Sequence, residues 1–141
     1  VKGFLIDPDR REVVDAGKAG LEAPDLFALL SRPGGQPVHT VDCISLGPKL
    51  PIWPAHRIWV DGLAHRTDGT PVWWWDDFPD PIAGRGLLLG ITALGEAGPP
   101  SLTIDQVRAA VRWDDRVSSG EFHEVRTAQH ISLKPTLRTK E

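Results

Sequence analysis

The hydrophobic positions of this chain fall into short runs, each closed by a turn signal. Gly3 to Ile6 is strand-like, Asp7-Pro8-Asp9-Arg10 carries type I turn chemistry, and Glu12 to Val14 returns, which predicts an N-terminal β-hairpin. Pro24 stands where a helix favours its first residue, Asp25 suits the positive end of the dipole, and Leu26, Phe27, Leu29 and Leu30 supply an apolar face. A short helix is expected from about Pro24 to Ser31. Val38 to Leu46 alternates with neither side cleanly polar, the pattern of a strand covered on both faces.

The prolines between Gly47 and Pro54 exclude helix and central strand from that stretch. His56 to Val60 alternates again, and Asp61-Gly62 and Asp68-Gly69 both read as hairpin turns. Thr70 to Trp75 is the next strand, and Leu87 to Thr92 is a buried one. The loop Asp76 to Gly86 between them carries Pro79, Pro81, Gly84 and Gly86. After Gly98-Pro99-Pro100, Ser101 or Thr103 can cap a helix in which Ile104, Val107 and Val111 form one stripe, ending near Arg112. Beyond Trp113-Asp114-Asp115 the chain is polar, with Phe122 and Val125 its best anchors. From Thr127 onward it is expected to fray unless a partner subunit holds it.

Short strands separated by turns, with few helices that do not alternate regularly with them, indicate the α+β class. The expected architecture is a single domain over residues 1–113, a mostly antiparallel sheet of about five to six short strands packed on two short helices. Residues 114–141 form a polar C-terminal extension. The length of 141 residues suits one domain, and 40% hydrophobic with 25% charged residues is an ordinary globular balance that excludes wholesale disorder and fibrous folds. The apolar runs are far short of a membrane span, and the N-terminal one is too short for a signal peptide, so a cytoplasmic protein is expected. A single cysteine, Cys43, makes no internal disulfide and reads as a small buried hydrophobe.

The net charge of −3 has an uneven origin. Acids and bases balance at both ends, and the excess sits in the middle, where Asp61, Asp68, Asp76, Asp77 and Asp80 face only Arg66 and Arg85. That balance argues against nucleic acid as a partner, because phosphate neutralisation needs a concentrated basic face.

Three constellations carry candidate chemistry. In Ala83-Gly84-Arg85-Gly86, glycines on both sides of an arginine let the backbone approach a ligand while the guanidinium offers a bidentate fork to phosphate or carboxylate. The plainer alternative is a turn entering a core strand, with Arg85 paired to Asp76, Asp77 or Asp80. Trp73-Trp74-Trp75 on a strand would send the outer two indoles one way and Trp74 the other, so one face can stack a base or anchor a protein. A sheet buried on both faces, through dimerisation, is the alternative. Asp76 and Asp77, with Asp80, could hold a divalent cation, although a solvated turn beside prolines is their ordinary explanation. Among the histidines, only His56 and His65 could meet, across an Asp61-Gly62 hairpin, and their register misses. No metal site and no cofactor is expected.

The decapeptide Pro81-Ile82-Ala83-Gly84-Arg85-Gly86-Leu87-Leu88-Leu89-Gly90 resembles the signature of a small domain of unknown function encoded by bacteriophages, prophages and other mobile elements. The strand Gly3 to Pro8, the turn Trp59-Val60-Asp61-Gly62 and the helix Ser101 to Arg108 follow in the same order, so the resemblance covers roughly Lys2 to Trp113. The tryptophan run and the tail depart from it. The resemblance implies phage or mobile-element origin, a location in the bacterial host cytoplasm and no assigned chemistry. The function expected is therefore non-enzymatic binding by a homo-oligomer, with the tryptophans and the Arg85 loop set against a host protein and interference with host defence as the purpose. One alternative is a sponge for a nucleotide-like small molecule, its base stacked on tryptophan and its phosphate held by Arg85 with Arg57 or Arg66. Another is a metal-dependent hydrolase using Asp76 and Asp77.

Overall fold

The architecture follows from β7 (Gly86–Ile91), whose leucines alternate into two separate cores. The structure, a computed structural model, describes residues 2–18, 23–35, 37–46, 56–76, 78–92, 94–118 and 130–133. Before β7 the chain forms β1 (Lys2–Asp7), β2 (Glu12–Lys18), α1 (Ala23–Leu30), β3 (Val41–Leu46), β4 (His56–Asp61), a 3-10 turn (Ala64–Arg66), β5 (Pro71–Trp75) and β6 (Ile82–Ala83). After it come β8 (Ala97–Gly98), α2 (Ile104–Ala110), β9 (Val111–Val117) and β10 (His130–Leu133). No helix among the described residues is long and apolar enough to cross a membrane.

A seven-stranded sheet runs β10-β3-β4-β7-β1-β2, with β8 paired to β7, and a three-stranded sheet runs β6-β5-β9. Every pairing is antiparallel. The class is α+β.

The large sheet is covered on both faces. On one, Leu87 and Leu89 meet Leu26 and Leu30 of α1 together with Val38, Val41 and Trp59. On the other, Ile6, Ile44, Ile58, Val60 and Leu88 meet Trp73 and Trp75 of the small sheet and Val107 of α2. Covering of both faces is why neither side of Val41–Leu46 is cleanly polar: only Ser45 on β3 is exposed.

Several local expectations hold. The hairpin β1-β2 closes through Asp7, whose Oδ1 accepts the Asp9 N–H at 3.0 Å. Thr103, rather than Ser101, caps α2: its Oγ1 accepts the Gln106 N–H at 3.2 Å, and Gln106 Oε1 accepts the Thr103 N–H at 2.8 Å.

The hairpin turns expected at Asp61-Gly62 and Asp68-Gly69 do not form, since β4 pairs with β3 and β7, and β5 with β6 and β9. Asp61-Gly62 is no hairpin turn, because β4 is already flanked by β3 and β7 and has no edge left for a returning strand. The chain instead makes its 3-10 turn, burying Ala64 and His65, and β5 joins the other sheet. β9 runs from Val111 to Val117 against β5, and β10 adds to the large sheet beside β3. β6 and β9 of the small sheet and β8 and β10 of the large one bring the strands among the described residues above the five or six expected.

Candidate functional site

The Arg85 loop sits at the end of the central strand. In the register Leu5↔Leu87 and Trp59↔Leu87, two further residues bring Arg85 level with Asp7 of β1 and Asp61 of β4. Its Nη2 donates to Asp7 Oδ2 at 3.3 Å, with the two side chains only 15% and 4% exposed. Its Nη1 donates to the carbonyls of Leu29 at 3.2 Å and Ser31 at 3.0 Å, which belong to the C-terminal end of α1. Beside it Arg32 grips Asp9 through two hydrogen bonds, of 2.7 and 2.9 Å, and they hold the Asp9 carboxyl below its usual range. The partner of Arg85 is thus Asp7, not the central aspartates, and the fork is committed to joining α1 to the first hairpin. The cleft bordered by Arg32, Asp61, Thr70, Gly84 and Arg85 has a volume of about 30 Å³, the size of one water rather than of a nucleotide.

The two glycines serve the tryptophans. Gly84 has φ +80°, accessible to glycine at little cost, and its carbonyl accepts the Trp73 indole N–H at 2.8 Å. A Cβ on Gly86 would lie 2.8 Å from Ile58 Cγ2 and 2.9 Å from Trp73 Cζ2. Glycine there lets the indole of Trp73 lie against β7. The loop and the tryptophan run do come together, by packing: Trp73 is 0% exposed.

The strand alternation separates the three indoles. Trp73 and Trp75 point into the core, and Trp74 points to the outer face of the small sheet, where it is half-buried. There the Arg112 and Arg116 guanidiniums lie 5.5 and 5.6 Å from the centroid of its ring, within cation–π range. Its Nε1 donates to Asp114 Oδ2, and Arg116 clamps the same carboxylate with a closest contact of 2.9 Å. The hydrogen bonds from Arg116, with that of Trp74, hold the Asp114 carboxyl well below the ordinary carboxylate range. Next to this cluster Arg11 reaches from the first turn to Asp115 at 2.6 Å, beside a shallow groove of about 340 Å³ lined by Glu12, Val13, Arg108 and Trp113.

Arg112, Asp114 and Arg116 are what sequence reasoning missed. The alternation Arg112, Asp114, Arg116 was available as a strand signal, but nothing local identifies Trp74 as the residue opposite Arg112.

The remaining candidates are dispersed. Asp76 is exposed, Asp80 is buried, and Asp77 lies outside the described residues. Among the described residues no three of His, Cys, Asp and Glu are grouped as a metal would require. His65 sits in the 3-10 turn rather than on a strand opposite His56. His56 is buried and its Nε2 accepts the Ser101 backbone N–H at 3.2 Å; burial pushes its pKa below 6.5 and keeps the ring neutral. The Cys43 thiol, pushed up to about 12 by burial, is no nucleophile. Comparison of the chain with protein-family models, with curated proteins and with solved structures finds no match.

Proposed function

We propose that this protein acts by binding a protein partner rather than by catalysis, and that the contact surface is the outer face of the small sheet around Trp74. The observation that carries the reading is the state of Trp74. It is the one indole of the run turned away from the core, fixed by Asp114 and flanked by two arginines. Tryptophan and arginine are the residue types that concentrate binding energy at protein interfaces, and a side chain already fixed in place loses little entropy on docking. Charges of both signs border it, Arg11, Arg112 and Arg116 with Asp114 and Asp115, which suits a protein surface better than a polyanion.

The phage or mobile-element origin, the host defence protein as target and the homo-oligomeric state belong to the same proposal and rest on the Pro81 to Gly90 resemblance. The small-molecule sponge built on Arg85 is the weaker reading, because that fork already holds Asp7 and two carbonyls.

Native mass spectrometry of gently purified protein tests the proposal. The expected spectrum contains the chain, in its own oligomer, with a host protein attached. In a Trp74→Ala variant, which stays folded with a melting temperature only a few degrees lower, that protein is lost. A host protein retained by the variant, or a bare chain carrying only an increment of a few hundred daltons, overturns it.

A further inference from the structure

On the α1 face of the large sheet, β4 displays Arg57, Trp59 and Asp61, since His56, Ile58 and Val60 point into the opposite core. Arg57 Nε and Trp59 Nε1 are both shut off from solvent, and neither meets an acceptor. Among the described residues no carboxylate forms an ion pair with Arg57. Arg85 Nε shares this condition, but the Nη atoms of Arg85 carry three hydrogen bonds. Arg57 is therefore the contrasting case, a half-buried side chain whose Nε meets no acceptor and which forms no ion pair among the described residues.

A shielded N–H without an acceptor is costly. Here two such donors stand on one strand face, two residues apart, with Cα atoms about 6.7 Å from each other. The cross-strand register places Ser45 directly opposite Arg57 and Cys43 opposite Trp59. Ser45 is exposed and adds a hydroxyl at the open end, while Trp59 packs beneath α1 at the closed end. Asp61, the carboxylate on the same face of β4, lies beyond Trp59 and accepts the Leu63 N–H at 3.0 Å. Asp42 is turned to the neighbourhood of Gly62.

We infer that Arg57 and Trp59, with the Ser45 hydroxyl, form a binding site for an oxyanion, the phosphate or carboxylate of a small ligand. One oxygen accepts from Arg57 Nε, another from the Trp59 indole, and the negative charge balances the guanidinium. The group enters from the Ser45 side. This site is on the opposite side of the large sheet from Trp74 and stands independently of the protein-binding surface.

The test is a titration of the ¹⁵N-labelled chain with inorganic phosphate, and separately with acetate, at constant ionic strength balanced by sodium chloride. The indole N–H resonances are followed, with that of Trp59 assigned from a Trp59→Phe variant. A saturable downfield shift of the Trp59 indole, absent in Arg57→Gln while the other indole resonances keep their positions, is expected. Ser45→Ala, a substitution at an exposed position, should weaken the binding about tenfold or more, the loss of one hydrogen bond to a charged acceptor. Saturation by phosphate alone assigns the site to a phosphate ester, and by acetate alone to a carboxylate. No saturable shift with either anion, or an equal shift in Arg57→Gln, overturns the proposal.

Discussion

Trp73 and Trp74 are neighbours in the chain and opposites in the fold. The first is enclosed by Ile58, Gly86 and the rest of the inter-sheet core, its N–H given to a backbone carbonyl. The second lies on the outside, its N–H given to a carboxylate and its ring faced by two cations. The half-turn of the strand per residue is the whole cause, and it divides a run of identical side chains into structural and surface members. Arg85 and Arg57 repeat the lesson on the large sheet. Both lie on its α1 face, yet one has the carbonyls ending α1 and a buried carboxylate within reach, while the Nε of the other meets no acceptor and it forms no ion pair among the described residues.

The sharpest way to break the contrast between the indoles is to remove each. Trp73→Ala, which empties a fully buried site, should cost about 3–5 kcal/mol in equilibrium urea unfolding. If it costs no more than Trp74→Ala, the division into core and surface is wrong. Arg85→Ala comes next. It strands Asp7 and frees two carbonyls at the end of α1, and should cost about 3 kcal/mol, partly recovered when Asp7→Asn is added. An Arg85→Ala protein as stable as its parent that loses a bound ligand would instead make Arg85 a binding residue.

Trp74→Ala should lower stability by only about 1 kcal/mol, as expected for a surface substitution with few buried contacts, while removing the partner. The smallest effect is the pH response of His56. Its folded pKa lies below 6.5, so the stability carried by the neutral ring is intact above pH 6.5 and is lost as pH falls through the folded value. In His56→Gln, whose side-chain oxygen can accept the Ser101 N–H at any pH, a melting-temperature profile between pH 7 and pH 5 should lose that component. An unchanged profile would show that another group titrates there.

Much of the fold was legible because its signals are local. The turn chemistry of Asp7 to Arg10, the proline at the start of α1, the Thr103 and Gln106 cap and the leucines of β7 act within a few residues of themselves. Asp61-Gly62 misled because a turn signal reports the local bend and not whether a neighbouring strand position is vacant. The strand after α2 was hard to read for a related reason. The strand β9 is held by β5, some forty positions earlier, and its apolar face, Val111, Trp113 and Val117, is interrupted by Asp115.

The sequence by itself determined the α+β class, most elements and the separation of Trp74 from Trp73 and Trp75, because alternation and turn preference are properties of the backbone within a short span. The tertiary structure alone decided which groups are spent and which remain available. Arg85 is committed to Asp7, Leu29 and Ser31, Trp74 shares its face with Arg112, Asp114 and Arg116, and Arg57 stands with Trp59 and forms no ion pair among the described residues. Those relations join residues far apart in the chain through sheet register and layer packing, and the strength of an ionic or hydrogen-bonding group depends on its partners and on water, neither of which is written at its own position.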